Sequence, residues 1–176
     1  MIFGCGKQFG AKISYSEEPV ALETAGGIIK ALAMLAEYDN DVFMVINGDV
    51  YCDFDLQDMP VLQAEHNAHL MLVKNPEHNP TGDFQLNNGM LANPTTQRQL
   101  TYTFSGIALY RKAFFTAEYQ SENEKRVQEH MLQQTVQPLA PMLRAAADQQ
   151  KISASLLNAA WTDVGTPERL VKLNSI

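Results

Sequence analysis

Two aspartates stand where a carboxylate can serve a bound ligand. Asp49 follows Asn47-Gly48 directly after an apolar run, 42–46, and Asp163 precedes the start of the last predicted helix. In open α/β sheets the ligand crevice lies beyond the carboxyl ends of the strands, so Asp49 is placed to bind a metal ion there. Gly48 would let a ligand approach the backbone closely. The alternative for Asp49 is an ordinary turn, which the residues alone favour.

Other polar residues are weaker candidates. The Asp53-x-Asp55 spacing is found in metal motifs, but either aspartate can instead cap a helix predicted over 56–67, and we favour capping. Three histidines have no ligand-like spacing on one element, so we interpret them as surface or core residues. They are His66, His69 and His78.

Two glycine-rich segments are candidates for contact with a phosphate or a base. Residues 4–10 favour a connecting loop over a phosphate loop, because phosphate loops follow a strand and open a helix. Thr24 is predicted to cap a helix that runs to Ala36, and Gly26-Gly27 in its first turn costs about 1 kcal/mol per glycine relative to alanine. That cost indicates either close approach of a ligand or backbone to the helix N-terminus, or tight packing of the helix on a sheet. The residues leave both interpretations open.

Alternating helix and strand signals assign the chain to the α/β class. Residues 41–46 are predicted to form a strand buried on both faces, as a central parallel strand is. Asn88-Gly89 between two apolar segments predicts a β-hairpin. Gly106, inside a long predicted strand, marks a bulge or a close backbone approach. The other predicted strands are 12–16, 69–74, 100–110 and 151–156, and the other helices are 112–124, 138–150 and one starting at Thr166-Pro167.

The composition excludes several classes of function. The net charge of −7 and the pI near 5.0 argue against a nucleic-acid-binding surface, which needs clustered Lys and Arg. No apolar run approaches the roughly 20 residues that span a bilayer, and we expect neither a membrane partner nor a secretory signal. Cys5 and Cys52 are too isolated for a disulfide framework or a zinc site, so we expect a cytoplasmic protein. The length of 176 residues predicts one domain, 1–176.

Four separated segments together resemble one family, the sugar-1-phosphate nucleotidylyltransferases. They are 22–27, 47–49, 102–107 and 161–169. The Leu-Glu-Thr start of the first segment and the short C-terminus are most similar to the N-acetylmuramate-1-phosphate uridylyltransferases of cell-wall recycling, which are often labelled mannose-1-phosphate guanylyltransferases. The resemblance implies a Rossmann-like three-layer α/β fold with a mixed, mostly parallel sheet and a β-hairpin insert. It also implies that the family's N-terminal strand and Gly-x-Gly-Thr-Arg loop are absent, so we expect an N-terminally truncated chain.

The same resemblance implies a set of site residues. Asp49 and Asp163 match the family's catalytic, metal-binding aspartates, which hold Mg²⁺. The implied nucleotide-binding residues are Leu22, Glu23, Thr24, Asn47 and Gly48, and the implied sugar-binding residues are Gly82, Ser105 and Gly106. Two positions depart from the family pattern: Glu23 stands where several relatives have glycine, and Phe104 where many have asparagine.

The implied reaction transfers a nucleoside monophosphate from a nucleoside triphosphate to a sugar-1-phosphate and releases pyrophosphate. UTP with N-acetylmuramate-1-phosphate is the expected pair, while GTP with mannose-1-phosphate and dTTP with glucose-1-phosphate stay open. Two further alternatives are an inactive chain that only binds a nucleotide sugar and a glycosyltransferase that uses Asp53 and Asp55. Because the expected truncation exposes sheet edges, we also expect a homodimer formed through such an edge.

Overall fold

Eight strands and four helices are defined in the described part of the chain. The computed structural model describes residues 3–96, 99–116 and 136–175. The strands are β1 (Val42–Ile46), β2 (Val50–Cys52), β3 (Ala68–Val73), β4 (Gln85–Asn87), β5 (Met90–Ala92), β6 (Thr103–Arg111), β7 (Ile152–Leu156) and β8 (Trp161–Asp163). The helices are α1 (Glu23–Leu35), α2 (Ala113–Thr116), α3 (Leu139–Asp148) and α4 (Pro167–Leu173).

The main sheet has six strands in the order β1-β6-β3-β7-β5-β4, and β2 and β8 form a separate antiparallel ribbon. Strands β1, β3, β4 and β7 run in one direction, and β5 and β6 run in the other. Within the described residues only β3 and β7 form a parallel ladder, because β6 lies between β1 and β3. The predicted mixed α/β sheet with a hairpin insert is confirmed. Four of its six strands run in one direction, but only one neighbouring pair among the described strands is parallel.

Strand β1 differs from the prediction of a central strand buried on both faces. It lies at the edge of the sheet and pairs only with β6 among the described strands. Phe43 is buried, but Val42 is 43% and Ile46 44% exposed. The prediction of its position was wrong because a short apolar run does not separate a central strand from an edge strand that packs one side on the core.

The two faces of the sheet carry different layers. Buried residues of α1, α3 and the short α2 pack on one face against Leu70, Leu72 and Tyr110. The β2–β8 ribbon packs on the other face through Val50, Cys52 and Trp161, which contact a small cluster containing Met71 and Ile107. The helices therefore stabilise the sheet from one side, and the ribbon stands on the other. No helix in the described part of the chain is long and apolar enough to cross a membrane.

Two predicted elements do not form as expected. Residues 12–16 have no assigned secondary structure and pair with no strand in the described chain. The helix predicted over 56–67 is reduced to one 3₁₀ turn, Leu56–Asp58, and Pro60 follows it closely. Residues 4–10 form a loop with a single 3₁₀ turn, as predicted.

The remaining predicted elements are confirmed where the structure describes them. Asn88 and Gly89 take φ values of 51° and 82°, as a two-residue hairpin turn requires, and β4 and β5 flank them. Helix α4 begins at Pro167 with the Thr166 side chain accepting from the Arg169 N–H. Of the helix predicted over 112–124, α2 is observed, and 117–124 lie outside the described residues.

His69 is a core histidine that bridges the parallel strands β3 and β7. Its two ring nitrogens lie 2.8 Å and 2.9 Å from the hydroxyls of Ser153 and Ser155. Burial lowers the pKa of His69, so the neutral ring is the form that the sheet retains. This confirms the core interpretation for one of the three histidines.

Gly106 produces both features that its position predicted, a bulge and a close approach. The β3–β6 register shifts between the pairs Leu70–Ala108 and Leu72–Phe104, and Gly106 has a φ of +78°. The Asn47 N–H donates to the Gly106 carbonyl at 2.9 Å, and a Cβ added at Gly106 would lie 2.9 Å from Asn47 Cγ. The bulge therefore fixes the backbone just before Asp49.

We expect Gly106→Ala to lower the free energy of unfolding by at least about 1 kcal/mol more than Gly89→Ala does. Both substitutions carry the strain of a left-handed side chain, about 1–2 kcal/mol, but only Gly106→Ala also clashes with a neighbour. At Gly89 an added Cβ meets nothing within 4 Å. Urea unfolding of both variants measures the difference. Equal losses of stability would show that the Asn47 side chain moves aside at no cost in free energy.

Candidate functional site

The β2–β8 ribbon brings Asp49 and Asp163 together. Val50 pairs with Asp163 in the ribbon, and the Val164 N–H donates to the Asp49 carbonyl at 2.7 Å. A Cβ added at Gly165 would lie 3.3 Å from Asp49 Oδ2 and 3.5 Å from Asp163 Oδ1. The two carboxylates thus border one small space beyond the carboxyl end of β1, and the Arg169 guanidinium enters it, with Nη2 2.8 Å from the same added Cβ.

Asp163 is held at both of its oxygens. Arg169 Nη2 lies 2.7 Å from Oδ1, and His78 Nε2 lies 2.7 Å from Oδ2. Arg169 projects from the first turn of α4, and His78 from the loop after β3. His78 is exposed, as the surface interpretation predicted, but it also contacts Asp163, which the sequence analysis did not predict. The sequence carried no signal for this contact, because it joins the loop after β3 to the distant strand β8, whereas Arg169 lies inside the 161–169 segment.

The donor set suits a divalent cation that shares its coordination with a substrate. The described residues contain no group of three or more His, Cys, Asp or Glu side chains that could hold a metal ion. Asp49 and Asp163 supply two carboxylates, and no hydrogen bond or ion pair within the described residues engages the Asp49 carboxylate. Mg²⁺ typically binds one or two carboxylates and completes its shell with phosphate oxygens and water. The residues present therefore fit a cation that is bound partly by phosphate oxygens. They do not form a metal site in which every ligand comes from the protein.

Asp53 and Asp55 serve the backbone instead. Asp53 Oδ1 accepts from the Ala160 N–H at 2.7 Å, and Asp55 Oδ1 accepts from the Gln57 N–H at 2.9 Å. The capping prediction is confirmed for Asp55, which precedes the 3₁₀ turn. Because these carboxylates bind different backbone groups, the geometry does not favour a shared metal at the Asp-x-Asp pair.

The start of α1 differs from the prediction in its cap and its strain. Leu22, and not Thr24, is the N-cap residue, with no side-chain cap, and Glu23 follows with a φ of +61°. A side chain at this φ costs roughly 1–2 kcal/mol, which only glycine avoids. The position at which the chain departs from the pattern that the resemblance implies therefore carries backbone strain.

The glycine pair of α1 lies against neighbouring parts of the same chain. The Gly26 N–H donates to the Gln137 carbonyl at 3.1 Å, and a Cβ at Gly27 would lie 2.6 Å from Glu18 Oε1. Glu18 Oε2 also accepts from the Leu22 N–H at 3.1 Å. Of the two open interpretations, the structure shows close approach of another backbone segment and of a carboxylate.

Three of the implied nucleotide-binding residues share one cleft. Glu23, Thr24 and Asn47 border a cavity of about 320 Å³. Its other walls are Asp83, Phe84, Phe104, Pro138, Leu139, Ala140, Leu143 and Arg144. Leu22 is buried beneath this region, and exposed Gly48 stands beside Asp49 with nothing within 4 Å of an added Cβ.

The implied sugar-binding residues are divided between two places. Gly82, with a φ of +61°, borders a cleft of about 670 Å³ lined by threonines 81, 95, 96 and 101 and by Gln99. Ser105 is fully buried, and its hydroxyl accepts from the Ile107 N–H. The Ser105 carbonyl accepts from the Trp161 indole at 2.9 Å. Ser105 and Gly106 therefore support the ribbon and Asn47 and do not line the Gly82 cleft.

A further cleft lies where β3 and β7 end. It measures about 600 Å³, and Lys74, Asn158 and Trp161 are among its lining residues. No sequence motif singled out Lys74 or Asn158. The parallel pairing of β3 with β7 places them together, and an α/β sheet binds ligands at this edge.

Comparison with known proteins decides the family. The model of the nucleotidyl transferase family matches residues 2–176. The chain belongs to the nucleotidyl transferase family. Its fold and its ordered segments agree with that membership, and the family and its relatives are transferases.

Relatives of this nucleotidyl transferase family member differ in how much of the chain they match. The N-acetylmuramate alpha-1-phosphate uridylyltransferase of Neisseria meningitidis serogroup B is 36% identical over 98% of this chain and 70% of its own length. The mannose-1-phosphate guanylyltransferase catalytic subunit beta of Dictyostelium discoideum is 37% identical over 43% of this chain and 21% of its own length.

Solved structures of the nucleotidyl transferase fold superpose on nearly the whole chain. The inositol-1-phosphate CTP transferase from T. maritima gives a TM-score of 0.67 at 16% identity, covering 97% of this chain and 70% of that one. HddC from Yersinia pseudotuberculosis, complexed with GMP-PN, gives 0.60 at 19% identity with the same coverage. At these identities the likeness concerns the fold alone.

We expect Glu23→Gly to be more stable than Glu23→Ala by about 1 kcal/mol, although glycine ordinarily weakens a helix. Glycine removes the left-handed strain, and alanine keeps it. Thermal or urea unfolding of the two variants measures the difference. Greater stability of the alanine variant would show that Glu23 is not held in this conformation.

Proposed function

We propose that this chain is a sugar-1-phosphate nucleotidyltransferase that transfers UMP from UTP to N-acetylmuramate-1-phosphate and releases pyrophosphate. The meeting of Asp49 and Asp163 over Gly165, beside the clefts, is the observation that carries the proposal. The uridylyltransferase similar over 98% of the chain supports the substrate pair. Such a role belongs to cell-wall recycling, and two free cysteines, Cys5 and Cys52, suit a cytoplasmic location.

The reaction asks for positioning and charge neutralisation more than for proton transfer. An oxygen of the sugar-1-phosphate attacks the α-phosphorus, the bond to the β-phosphate bridging oxygen breaks, and pyrophosphate leaves. The attacking phosphate is ionised at neutral pH, so no protein base is required. Fixed charges and dipoles aimed at the phosphates then supply most of the acceleration.

Asp49 and Asp163 are proposed as the ligands of Mg²⁺. A cation bound there would neutralise negative charge on the phosphates as the α-phosphorus is attacked. Asp49 can turn toward the cation freely, whereas Asp163 is held by Arg169 and His78. Arg169 adds a fixed positive charge beside the two carboxylates and limits their repulsion.

We propose that the nucleotide and the sugar bind in two different clefts. We assign the nucleotide to Glu23, Thr24 and Asn47, with Leu22 supporting the base side and Gly48 leaving room near the phosphates. The sugar is assigned to the cleft beside Gly82, where hydroxyl and amide side chains suit a polyol. Ser105 and Gly106 support this arrangement from behind.

The substitutions Asp49→Asn and Asp163→Asn should each lower Mg²⁺-dependent release of pyrophosphate at least about 100-fold, since each removes a charge that holds the cation. The assay incubates the chain with UTP, Mg²⁺ and N-acetylmuramate-1-phosphate. Asp55→Asn is the matched control, because asparagine also caps a turn and activity should persist.

Each other outcome identifies a different function. Release of UDP from a UDP-sugar by the unmodified chain, lost in Asp55→Asn and kept in Asp49→Asn, would support the glycosyltransferase alternative. Turnover only with GTP and mannose-1-phosphate would replace the substrate pair and keep the reaction. Binding of a UDP-sugar in calorimetry without turnover by the unmodified chain would show a binding module in place of an enzyme.

We also propose that the chain forms a homodimer through the outer edge of β1. This edge pairs with no described strand, and exposed Val42 and Ile46 flank it without a charge, proline or bulge to block pairing. Addition of a second copy of the strand would satisfy its free backbone groups.

Analytical ultracentrifugation should show a dimer for the unmodified chain and a monomer for Val42→Lys, because a charge on an edge strand opposes pairing. Val61→Lys is the matched control, since Val61 is 80% exposed and lies outside any strand. A monomeric unmodified chain, or dimers in both variants, would contradict this interface.

A further inference from the structure

One hydrogen bond ties the loop after β3 to the carboxylate of Asp163. A carboxylate only accepts, so His78 Nε2 carries the hydrogen and donates it to Oδ2 at 2.7 Å. The oxygen that borders the space shared with Asp49 is Oδ1. His78 therefore fixes the rotation of the carboxylate from its far side, whereas Arg169 Nη2 lies on the side of the shared space.

The loop that carries His78, residues 75–82, is anchored at both ends. Asn75 Nδ2 donates to Thr101 Oγ1 at 3.1 Å, and Asn79 Nδ2 donates to Thr103 Oγ1 at 3.2 Å. Thr101 Oγ1 in turn donates to the Thr81 carbonyl at 2.7 Å. These bonds attach the loop to β6 and the segment before it, so His78 is presented from a fixed frame.

Arg169 does not play the same part, although its distance to Asp163 is equal. Its Nη2 contacts Oδ1, on the side that faces Asp49, and its permanent charge opposes a cation there. Its role is to limit repulsion between the carboxylates. Orientation of Asp163 from outside the shared space is left to His78.

We propose that His78 is a positioning residue for the divalent cation, acting through Asp163; this rests on the proposed function and deepens it. The terminal torsion of an aspartate is broad, and a carboxylate that must meet a cation at about 2.1 Å gains from being fixed beforehand. Hydrogen bonds to ligating side chains typically change metal affinity by about 10- to 100-fold when removed. His78 and Gly82 lie in the same loop, so one segment carries both the residue proposed to orient Asp163 and the glycine beside the proposed sugar cleft.

Titration of the full chain with Mn²⁺, followed by the electron paramagnetic resonance signal of the free ion, tests the proposal without turnover. His78→Ala should weaken Mn²⁺ binding by about 10- to 100-fold. His78→Gln should bind close to the unmodified chain, because the glutamine amide can donate to Oδ2 in place of Nε2. Glu77→Ala is the matched control in the same loop, since Glu77 is 94% exposed.

Unchanged or tighter binding by His78→Ala would overturn the proposal, and so would equal weakening by His78→Ala and His78→Gln. Should His78→Ala fail to fold, His78→Leu keeps the bulk without the donor and must weaken binding equally. A different failure concerns the proposed function itself: an unmodified chain that does not bind Mn²⁺, or binding unaffected by Asp49→Asn and Asp163→Asn, removes the cation site. Only that result would contradict the proposed function and the proposed role of His78 at once.

Discussion

The antiparallel pairing of Val50 with Asp163 is the interaction on which the site depends. It joins a segment that follows the edge strand β1 to one that follows β7 at the end of the chain. Backbone hydrogen bonds extend the ribbon beyond both ends, from Val164 to Asp49 and from Asp53 to Ala160. Without this ribbon the two carboxylates would belong to separate loops. With it, the backbones of Asp49 and Asp163 are held next to each other.

The ribbon is in turn fixed to the sheet at one irregular point. The bulge at Gly106 turns the Ser105 carbonyl toward the Trp161 indole and brings the Gly106 backbone against Asn47. A regular β6 would continue its ladder with β3 and offer neither contact. The bulge thus interrupts the β3–β6 pairing and provides contacts to both Trp161 and Asn47. Bulges next to functional sites commonly position side chains in this way.

Charge in the site is distributed unevenly between the two aspartates. Asp163 is neutralised by Arg169 and oriented by His78, while Asp49 has no such partner in the described residues. This asymmetry gives one fixed and one adjustable carboxylate. Backbone strain is found at Glu23, in the cleft that Glu23 shares with Asn47, where the residue keeps a left-handed backbone that glycine would adopt more easily.

Local sequence patterns determined much of the fold. The hairpin at Asn88-Gly89, the Thr166-Pro167 helix start and the Gly106 irregularity were all predictable, because each depends on backbone preferences of one or two residues. The resemblance of the ordered motifs to one family also implied that Asp49 and Asp163 hold one cation together, which no short window of the sequence displays by itself.

Tertiary structure alone decided the remainder. The edge position of β1 depends on which strands are available to pair, and the short turn at Leu56 shows that predicted helix propensity was not enough to propagate a helix there. His78 contacts Asp163, and Ser105 is buried away from the Gly82 cleft, because segments that are distant in the sequence pack together. Sequence by itself predicted most of the elements and singled out the two carboxylates; packing and long-range pairing decided which side chains surround them.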